Sequence, residues 1–324
     1  MFLKDFVYEH DSGVYLLPSG VSRFTYSDGI ETEDYILWAV SNAADKSSLS
    51  EELRTWIKDW PTRYHLSPVR ANLLRPFPFL YNSAKVLEIG AGCGAITRYL
   101  GEVCKHVDAI EGSYHRARIT RQRCSDLSNV NVYVANVFDL SFTKEYDVAT
   151  LIGVLEYAPI FYSKQVRKEN CCVELLRLVS QALKDDGILI LAIENKLGLK
   201  YWAGCREDHS GRLFDGLHDY PDFPGAPLRP ITFSKNELYQ LLVTAGFTSV
   251  QFYYPFPDYK LPNTLIRDSE ELKQAKLFLY NWINTPFEDY SGLREYLIHE
   301  NLTLKSLYKA GLLGEFANSF LVLA

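Results

Sequence analysis

The feature that most constrains the fold is a short apolar segment that runs directly into a glycine-rich turn. Residues 85–89 are a predicted buried strand. Three glycines follow at alternating positions, Gly90, Gly92 and Gly94, and a helical pattern begins at Ala95. Glycines let the backbone of this glycine turn, residues 90–94, adopt positive φ and let a ligand lie where a Cβ atom would clash. The same spacing also fits the dinucleotide-binding motif, so the turn alone leaves the ligand open.

Strand and helix patterns alternate along the chain after this turn. Predicted strands and the helices between them lie at 85–89, 95–104, 107–110, 114–125, 130–135, 146–152, 170–183 and 188–193. Near-continuous apolar strands separated by helices are typical of a parallel sheet covered on both faces. The remaining elements are a helix that begins in a capping box and two strands, at 234–246, 248–254 and 318–324. The pattern therefore predicts an α/β fold.

The chain divides into a lead-in, residues 1–83, and a main domain, residues 84–324. The lead-in contains three helical patterns, at 33–43, 49–60 and 67–74. Two insertions interrupt the main domain: an irregular one at about 195–230, rich in glycine and proline, and a mostly helical one at about 261–315. Long ordered loops of the first kind are usually functional. No polar tail follows the last predicted strand, so we expect the sequence to be part of a longer polypeptide.

Composition and charge exclude several classes of protein. The net charge of -6 gives no overall attraction to nucleic acid or to an anionic membrane, so we expect no nucleic-acid partner. No apolar run approaches the roughly 18 residues of a membrane span, and the first residues lack the apolar segment of a signal peptide. None of the six cysteines forms a CxxC pair, which favours free thiols in a reducing compartment. We therefore expect a cytoplasmic protein without a membrane span.

Three polar features accompany the glycine turn. Glu88 lies two residues before the first glycine, where a dinucleotide site has no use for a carboxylate. Glu111 closes the next predicted strand, 17 residues after Gly94, and is placed to accept hydrogen bonds from two ribose hydroxyl groups. Asn136 and Val137 follow the third strand and offer a side-chain amide and a backbone N–H to an adenine edge. In this order, the features favour a cofactor site over a plain tight turn.

On these residues the chain resembles the class I S-adenosylmethionine-dependent methyltransferases, from about residue 60 to its end. The resemblance implies a Rossmann-like fold with a mostly parallel seven-stranded sheet and an antiparallel last strand. It also implies that the turn holds the methionine portion of S-adenosylmethionine, that Glu111 binds the ribose, and that Asn136 lies near the adenine amino group in place of the usual aspartate. Residues 152–157 are similar to the segment that lies along cofactor and substrate. The implied cofactor-binding residues are Glu88, Gly90, Ala91, Gly92, Gly94, Glu111, Gly112, Asn136, Val137 and Gly153.

The implied reaction is an in-line displacement of a methyl group from a sulfonium, which requires the nucleophile to be held close and in line. A hydroxyl nucleophile also needs a base near its proton. Candidate bases follow the fourth and fifth predicted strands. We assign His209, Glu194 and Asp208 as candidate catalytic residues, with loop-anchoring or surface roles as the alternative.

No group of residues has convincing metal-ligand spacing in the sequence. The nearest approach to a Mg²⁺ site combines two histidines with three aspartates of the first insertion: His209, His218, Asp208, Asp215 and Asp219. Loops of this composition commonly carry such residues without a metal. We therefore expect no required metal.

A second resemblance, in residues 194–204, 208–211 and 253–262, concerns the acceptor. These segments are similar to bacterial methyltransferases found beside, or fused to, glycosyltransferases of surface-polysaccharide synthesis. The resemblance implies O-methylation of a sugar hydroxyl, or secondarily a phosphate, of a cell-surface glycan or its precursor, with a glycosyltransferase as expected partner. Residues of suitable type for such an acceptor are Tyr201, Trp202, Tyr253, Tyr254, Lys200, Asp258 and Lys260. A small-molecule or lipid methyltransferase and a non-catalytic cofactor-binding scaffold for a glycosyltransferase remain alternatives.

Overall fold

The computed structural model describes residues 1–18, 26–162, 168–221, 228–269, 286–290, 292 and 294–324. The chain forms two compact units that interleave in the sequence. The first unit consists of Met1–Ile152 and Arg177–Ile190, and the second consists of Gly153–Leu176 and Leu191–Ala324.

Strands and helices alternate over most of the chain, in a Rossmann-like α/β fold with parallel and antiparallel strands. The strands are β1 (Val7–Glu9), β2 (Val14–Leu16), β3 (Lys85–Ile89), β4 (His106–Glu111), β5 (Val130–Val134), β6 (Tyr146–Ile152), β7 (Leu183–Glu194), β8 (Gln251–Phe256), β9 (Thr264–Arg267) and β10 (Ser319–Leu323). The α-helices are α1 (Ile30–Asn42), α2 (Glu51–Thr55), α3 (Trp60–Leu66), α4 (Ala95–Val103), α5 (Tyr114–Arg123), α6 (Ala158–Phe161), α7 (Lys168–Ala182), α8 (Leu199–Trp202), α9 (Lys235–Ala245) and α10 (Glu300–Lys309).

In the first unit, parallel pairing joins four strands in the order β5-β4-β3-β6. β2 pairs in parallel with β5, and β1 pairs antiparallel with β2. All residues of β3 and β4 except the first of each are buried, as expected for strands covered on both faces. Because parallel strands end at the same edge of a sheet, Gly90, Glu111 and Asn136 lie at or just after the ends of β3, β4 and β5 on one edge.

The lead-in helices share a hydrophobic core with the region around the glycine turn. Ile36 of α1, Leu53 of α2 and Leu66 of α3 are buried in one cluster with Cys93 of the turn and Ile119 of α5. Burying a leucine or isoleucine side chain stabilises a fold by roughly 1.5–3 kcal/mol. The lead-in is therefore packed as part of the first unit.

In the second unit, antiparallel pairing joins β10 to β8 and β8 to β9. Helix α9 begins at the predicted capping box, in which the Glu237 carboxylate accepts the Ser234 N–H at 2.8 Å and Ser234 Oγ accepts the Glu237 N–H at 3.5 Å. The helix ends at Gly246, whose φ of 106° lies in the left-handed region. The predicted cap, the predicted glycine end and the antiparallel last strand are all confirmed.

Several predicted boundaries are confirmed and others are wrong. The predicted strands at 85–89 and 146–152 match residue for residue. The predicted helix at 49–60 is wrong in extent, because Asp59 caps a second helix start by accepting the Thr62 N–H at 2.9 Å, which separates α2 from α3. The predicted strand at 188–193 is part of the longer strand β7, which begins at Leu183.

The described residues contain three strands beyond the predicted seven, namely β1, β2 and β9. β9 lies in the insertion at 261–315, where the sequence predicts mostly helical structure. Within that insertion, α10 is helical as predicted, and residues 270–285, 291 and 293 lie outside the described residues. Among the helices that the structure describes, none has both the length and the apolar character needed to cross a membrane.

Candidate cofactor and acceptor sites

The glycine turn has the backbone geometry that its sequence predicts. Gly90, Gly92 and Gly94 have φ values of 79°, 58° and 79°. A Cβ atom at Gly94 would lie 2.9 Å from Thr120 Cα, a contact that backbone atoms cannot relieve cheaply. The Gly90 N–H donates to the Ile110 carbonyl at 2.8 Å, which ties the turn to β4. The turn is therefore held open at the carboxyl edge of the parallel sheet.

Glu88 places an unsatisfied carboxylate oxygen at this edge. The side chain is buried, and its Oε2 has no hydrogen-bond partner among the described residues. Burial, which disfavours the charged form, raises the pKa of Glu88 to about 7. A cationic or hydrogen-bond-donating ligand group would satisfy this oxygen, so Glu88 fits the amino end of S-adenosylmethionine.

Glu111 is fixed by backbone donors on both sides. Its Oε2 accepts the Gly92 N–H at 2.7 Å, and its Oε1 accepts the Ser113 N–H at 2.9 Å. Each carboxylate oxygen has a second lone pair, so both can still accept a hydrogen bond from a ribose hydroxyl. Burial raises the pKa of Glu111, and the charge of Arg116 opposes that shift. Gly112 follows directly in the chain.

Asn136 lies close to Glu111, because the N–H of the preceding residue, Ala135, donates to the Glu111 carbonyl at 3.1 Å. Its side-chain oxygen accepts the Phe138 N–H at 3.2 Å and caps a short 3₁₀ helix, Val137–Asp139. The second lone pair of that oxygen can accept from an adenine amino group. The structure thus brings the predicted residues of strands β3, β4 and β5 to one edge of the first unit.

Gly153, the last predicted cofactor residue, belongs to the second unit. Its φ is 69°, and a Cβ atom there would lie 2.8 Å from the Tyr259 hydroxyl oxygen. Only glycine therefore fits this position without displacing Tyr259.

A polar group at the turn consists of Asp28 and His65 from the lead-in and Arg116 from α5; neither Asp28 nor Arg116 is predicted from the sequence. His65 Nε2 lies 2.8 Å from Asp28 Oδ2, and Arg116 Nη2 lies 3.3 Å from the same oxygen. A Cβ atom at Gly92 would meet Arg116 Nη2 at 3.2 Å, so the guanidinium lies against the turn. Burial lowers the pKa of His65 to about 4, despite the hydrogen bond with Asp28. The contact is therefore a hydrogen bond from a neutral imidazole at pH 7. The signal for Arg116 in the sequence is only that it lies in the helix after Glu111.

The second unit contains a buried group of charged side chains, the carboxylate cluster. It consists of Glu156, Glu194, Glu207, Asp208, Asp258, Lys200, Lys260 and His209. The three candidate catalytic residues, His209, Glu194 and Asp208, all belong to it. Tertiary structure brings the members of the cluster together from the 3₁₀ helix Leu155–Tyr157, β7, the first insertion and the segment after β8.

Two lysines connect the carboxylates of this cluster. Lys200 Nζ lies 2.6 Å from Asp208 Oδ2 and 2.8 Å from Asp258 Oδ2. Lys260 Nζ lies 2.9 Å from Asp208 Oδ2 and also contacts Glu194 Oε1. Burial alone would raise the pKa of Asp208, but the two ammonium groups outweigh burial and hold it well below its usual range. Asp208 is therefore a poor proton acceptor. Lys200, Lys260 and Asp258 are occupied in ion pairs within the cluster.

His209 is oriented by Glu207 rather than by Asp208, its neighbour in the sequence. His209 Nδ1 lies 3.0 Å from Glu207 Oε1, and Nε2 lies 3.9 Å from Glu156 Oε1. Burial opposes the charged imidazole, but the hydrogen bond with Glu207 and the nearby carboxylates raise the pKa of His209 to about 9. At neutral pH this side chain is charged.

Two carboxylates of the cluster keep one unsatisfied oxygen each. Glu194 Oε1 accepts from Lys260 and from the Tyr259 hydroxyl at 3.3 Å, while its Oε2 has no partner among the described residues. Glu156 Oε2 likewise has no hydrogen-bond partner among the residues that the structure describes. Burial, with a further contribution from the charge of Glu194, raises the pKa of Glu156 to about 8.

The other residues considered for Mg²⁺ have different neighbours. Asp215 pairs with Arg229 at 3.0 Å, and Asp219 pairs with Lys196 at 2.8 Å. Of the aromatic candidates for acceptor stacking, Tyr201 and Tyr254 are buried, and a buried ring cannot stack on a solvent-borne sugar. Trp202 is exposed and keeps that capacity. The six cysteines are free and buried, as the spacing predicts.

Comparison with known proteins gives a family match. A family model described as a methyltransferase domain matches residues 62–251, more than half of the chain. No curated protein matches the chain significantly in sequence.

Solved structures with a similar fold include proteins crystallised with S-adenosylhomocysteine (SAH). The DhpI–SAH complex is 17% identical, covers 68% of this chain and 89% of its own, and has a TM-score of 0.40. A SAM-dependent methyltransferase from Thermotoga maritima, described as a possible histamine N-methyltransferase, is 17% identical. The match covers 78% of this chain and 87% of that protein, with a TM-score of 0.45. The N-methyltransferase NodS from Bradyrhizobium japonicum, in complex with SAH, is 18% identical. The match covers 53% of this chain and 77% of that protein, with a TM-score of 0.36.

Proposed function

The chain belongs to the methyltransferase-domain family and is an S-adenosylmethionine-dependent methyltransferase, and we propose that it methylates a sugar hydroxyl of a cell-surface glycan or its precursor. A phosphate oxygen of the same acceptor is the second choice. The observation that carries this proposal is the pair of unsatisfied carboxylate oxygens on Glu156 and Glu194, because such oxygens accept hydrogen bonds from hydroxyl groups. The cofactor, when bound, supplies a sulfonium methyl group for in-line displacement.

In this proposal the carboxyl edge of the first unit binds most of the cofactor. Glu88 and the turn hold the methionine portion, Glu111 and Gly112 hold the ribose, and Asn136 and Val137 contact the adenine. Support comes from the open glycine backbone, the orphaned Glu88 oxygen and the fixed Glu111 carboxylate. The proposed set in the first unit is Glu88, Gly90, Ala91, Gly92, Gly94, Glu111, Gly112, Asn136 and Val137, and Gly153 stays a prediction from the sequence.

The three candidate catalytic residues take different roles in this proposal. Glu194 receives the hydroxyl proton, because Lys260 and Tyr259 hold one of its oxygens and leave the other for the acceptor. His209 is charged at neutral pH and stabilises the carboxylates around it. Asp208 is a positioning residue that holds both lysines.

Other parts of the proposal rest on the resemblance to polysaccharide-associated methyltransferases. These are the sugar itself and a glycosyltransferase domain or subunit as partner. A cytoplasmic location is proposed separately, from the spacing of the six cysteines. The exposed ring of Trp202 adds one physical argument for the sugar, because an aromatic face can pack against a pyranose ring.

The proposal is tested by incubating the purified chain with methyl-labelled S-adenosylmethionine and parallel panels of oligosaccharides, sugar phosphates, lipids and small amines. We expect label in a sugar, in an alkali-stable ether. Label confined to lipids or amines would overturn the sugar acceptor in favour of a small-molecule or lipid methyltransferase. Cofactor binding by calorimetry without any labelled acceptor would support a scaffold.

The Glu194→Gln variant tests the proton acceptor in the same assay. We expect kcat to fall by about 10²–10⁴-fold, because positioned general bases contribute about that much. Cofactor affinity, measured by calorimetry, should stay unchanged. A variant with full kcat would remove Glu194 from the reaction.

A further inference from the structure

We propose that Glu156, Glu194 and His209 form a binding site for one divalent metal ion. One ligand-type atom from each residue lies within 4.8 Å of the other two. Carboxylate and imidazole groups are ligands for first-row divalent cations. Two ligands about 2.1 Å from a shared ion lie roughly 3.0–3.4 Å apart, so pairs of ligand atoms need to come closer by up to about 1.4–1.8 Å.

The two carboxylates of this site each lack a partner on one oxygen. Glu156 is 1% exposed and Glu194 is 0% exposed, and Oε2 of each has no hydrogen-bond partner among the described residues. A buried polar atom without a partner costs free energy, because it has lost its hydrogen bonds to water. A cation held by both carboxylates supplies the missing partner.

The histidine of this site is already oriented as a metal ligand. Glu207 Oε1 lies 3.0 Å from His209 Nδ1, which leaves Nε2 as the nitrogen for coordination. That nitrogen lies 3.9 Å from Glu156 Oε1, on the side of the proposed ion. In metal sites, a carboxylate behind the ligating histidine fixes the ring in this manner. Glu207 is therefore a positioning residue of the site.

The carboxylate cluster carries an excess of negative charge that a divalent ion would reduce. Five carboxylates face two lysines and one histidine among its members: Glu156, Glu194, Glu207, Asp208, Asp258, Lys200, Lys260 and His209. Buried charges are normally paired or coordinated to a metal. A ligating imidazole is neutral, so coordination displaces the proton of His209. With the carboxylates ionised, the cluster then has five negative and two positive charges, and a divalent ion offsets two of the three excess negative charges.

Cation binding needs no acceptor and stands independently of the sugar. Where the acceptor is a hydroxyl, a bound cation lowers the pKa of that hydroxyl as it does for bound water, and this consequence rests on the proposed function. Glu194 would then act on the acceptor through the ion.

Titration of the purified, chelator-treated chain with Mn²⁺ tests the site. Mn²⁺ suits mixed carboxylate and imidazole ligands and avoids the thiolates that softer metals prefer, which matters for a chain with six free cysteines. Electron paramagnetic resonance of free Mn²⁺ should show saturable uptake of one ion per chain. Pulsed resonance of the bound ion should show coupling to a nitrogen nucleus, the signature of imidazole coordination.

Variants separate coordination from general electrostatic attraction. Glu194→Gln and Glu156→Gln should each weaken Mn²⁺ binding at least tenfold, and Glu207→Gln should weaken it by about 10–100-fold, as partners behind metal ligands do. Asp258→Asn is the matched control, because it removes the same charge from the cluster without removing a ligand, and its binding should change less than threefold. Thermal unfolding checks that each variant is folded.

Three outcomes would overturn the proposal. They are no uptake by the wild-type chain at millimolar Mn²⁺, a bound ion without nitrogen coupling, and an Asp258→Asn loss as large as that of Glu194→Gln. The first two need no variant, so they remain decisive if a substitution prevents folding. Mn²⁺ uptake together with no labelled sugar would contradict the sugar acceptor and leave the metal site standing.

Discussion

The glycine turn of the first unit is built from backbone, whereas the carboxylate cluster of the second unit is built from charged side chains. In the turn, the N–H groups of Gly92 and Ser113 hold the Glu111 carboxylate. In the cluster, the ammonium groups of Lys200 and Lys260 hold Asp208. Substitutions that add atoms should therefore destabilise the turn, and substitutions that remove charges should destabilise the cluster.

The two buried histidines show the same contrast. His65 in the first unit has one carboxylate neighbour and a nearby guanidinium, and burial lowers its pKa to about 4. His209 in the second unit lies among several carboxylates, which overcome burial and raise its pKa to about 9. Similar burial thus produces opposite charge states, because the surrounding charges differ.

Lys200→Met should have the largest effect, because it removes a charge from the cluster. The substitution leaves Asp258 and Asp208 short of a buried cation, and breaking a buried ion pair costs about 3–5 kcal/mol. We expect the free energy of unfolding in chemical denaturation to fall by that amount. The control is Lys144→Met, whose exposed ammonium pairs with the exposed Asp185 and should cost below about 1 kcal/mol. Equal losses would show that the cluster does not depend on its buried charges.

Gly94→Ala adds one atom to the turn. The new Cβ would lie 2.9 Å from Thr120 Cα, at a φ of 79°. We expect a loss of about 2–4 kcal/mol of unfolding free energy, from left-handed backbone strain and the clash, with weakened cofactor binding. Gly311→Ala has a φ of 73° and open space around the added atom, so it isolates the strain of about 1–2 kcal/mol. If the two variants lose the same stability, the close approach at Gly94 is not a constraint.

Glu111→Ala tests the ribose contact that the turn supports. Hydrogen bonds to a charged group contribute about 1.5–3 kcal/mol each, so losing two should weaken S-adenosylmethionine binding by about 100-fold or more in calorimetry. Glu145→Ala, a surface carboxylate paired with Lys85 in the same unit, should leave the affinity unchanged. Unchanged affinity in Glu111→Ala itself would mean that the ribose lies elsewhere.

The histidine contrast predicts opposite pH dependences. His65 binds its proton less tightly in the folded than in the unfolded protein. Its contribution to the free energy of unfolding is therefore present above pH 6.5 and is lost as the pH falls towards 4. His209 binds its proton more tightly in the folded than in the unfolded protein. Its contribution to the free energy of unfolding is therefore present below pH 6.5 and is lost as the pH rises towards 9. Each should change the free energy of unfolding by about 1–3 kcal/mol.

Nuclear magnetic resonance of the imidazoles, with chelator present, gives a direct measurement. His65 should be neutral at pH 6, and His209 should still be charged at pH 8. His65→Gln and His209→Gln assign the signals and should flatten the acidic and alkaline sides of the stability profile, respectively. Ordinary titration of both histidines near pH 6.5 would contradict the contrast.

The parts of the fold that sequence analysis predicts well depend on local patterns. The strand at 85–89, the strand at 146–152 and the capping box at Ser234 are read from contiguous apolar residues or from one turn of helix. The short edge strand β9 is missed, because its four residues carry little periodicity and depend on pairing with β8. The strand predicted at 188–193 likewise begins earlier than its apolar residues indicate, because residues 183–187 also belong to β7.

For the sites, the sequence by itself determines the glycine turn, with Glu88 and Glu111 beside it, because contiguous backbone and two adjacent strand ends are enough to build it. Only tertiary structure decides the carboxylate cluster. Glu156, Glu194 and His209 are far apart in the chain and have no metal-ligand spacing, yet their ligand-type atoms come within 4.8 Å. It also decides that Glu207, not Asp208, orients His209, because the direction of a side chain depends on what it packs against. Charges buried together from distant segments leave no local pattern to detect.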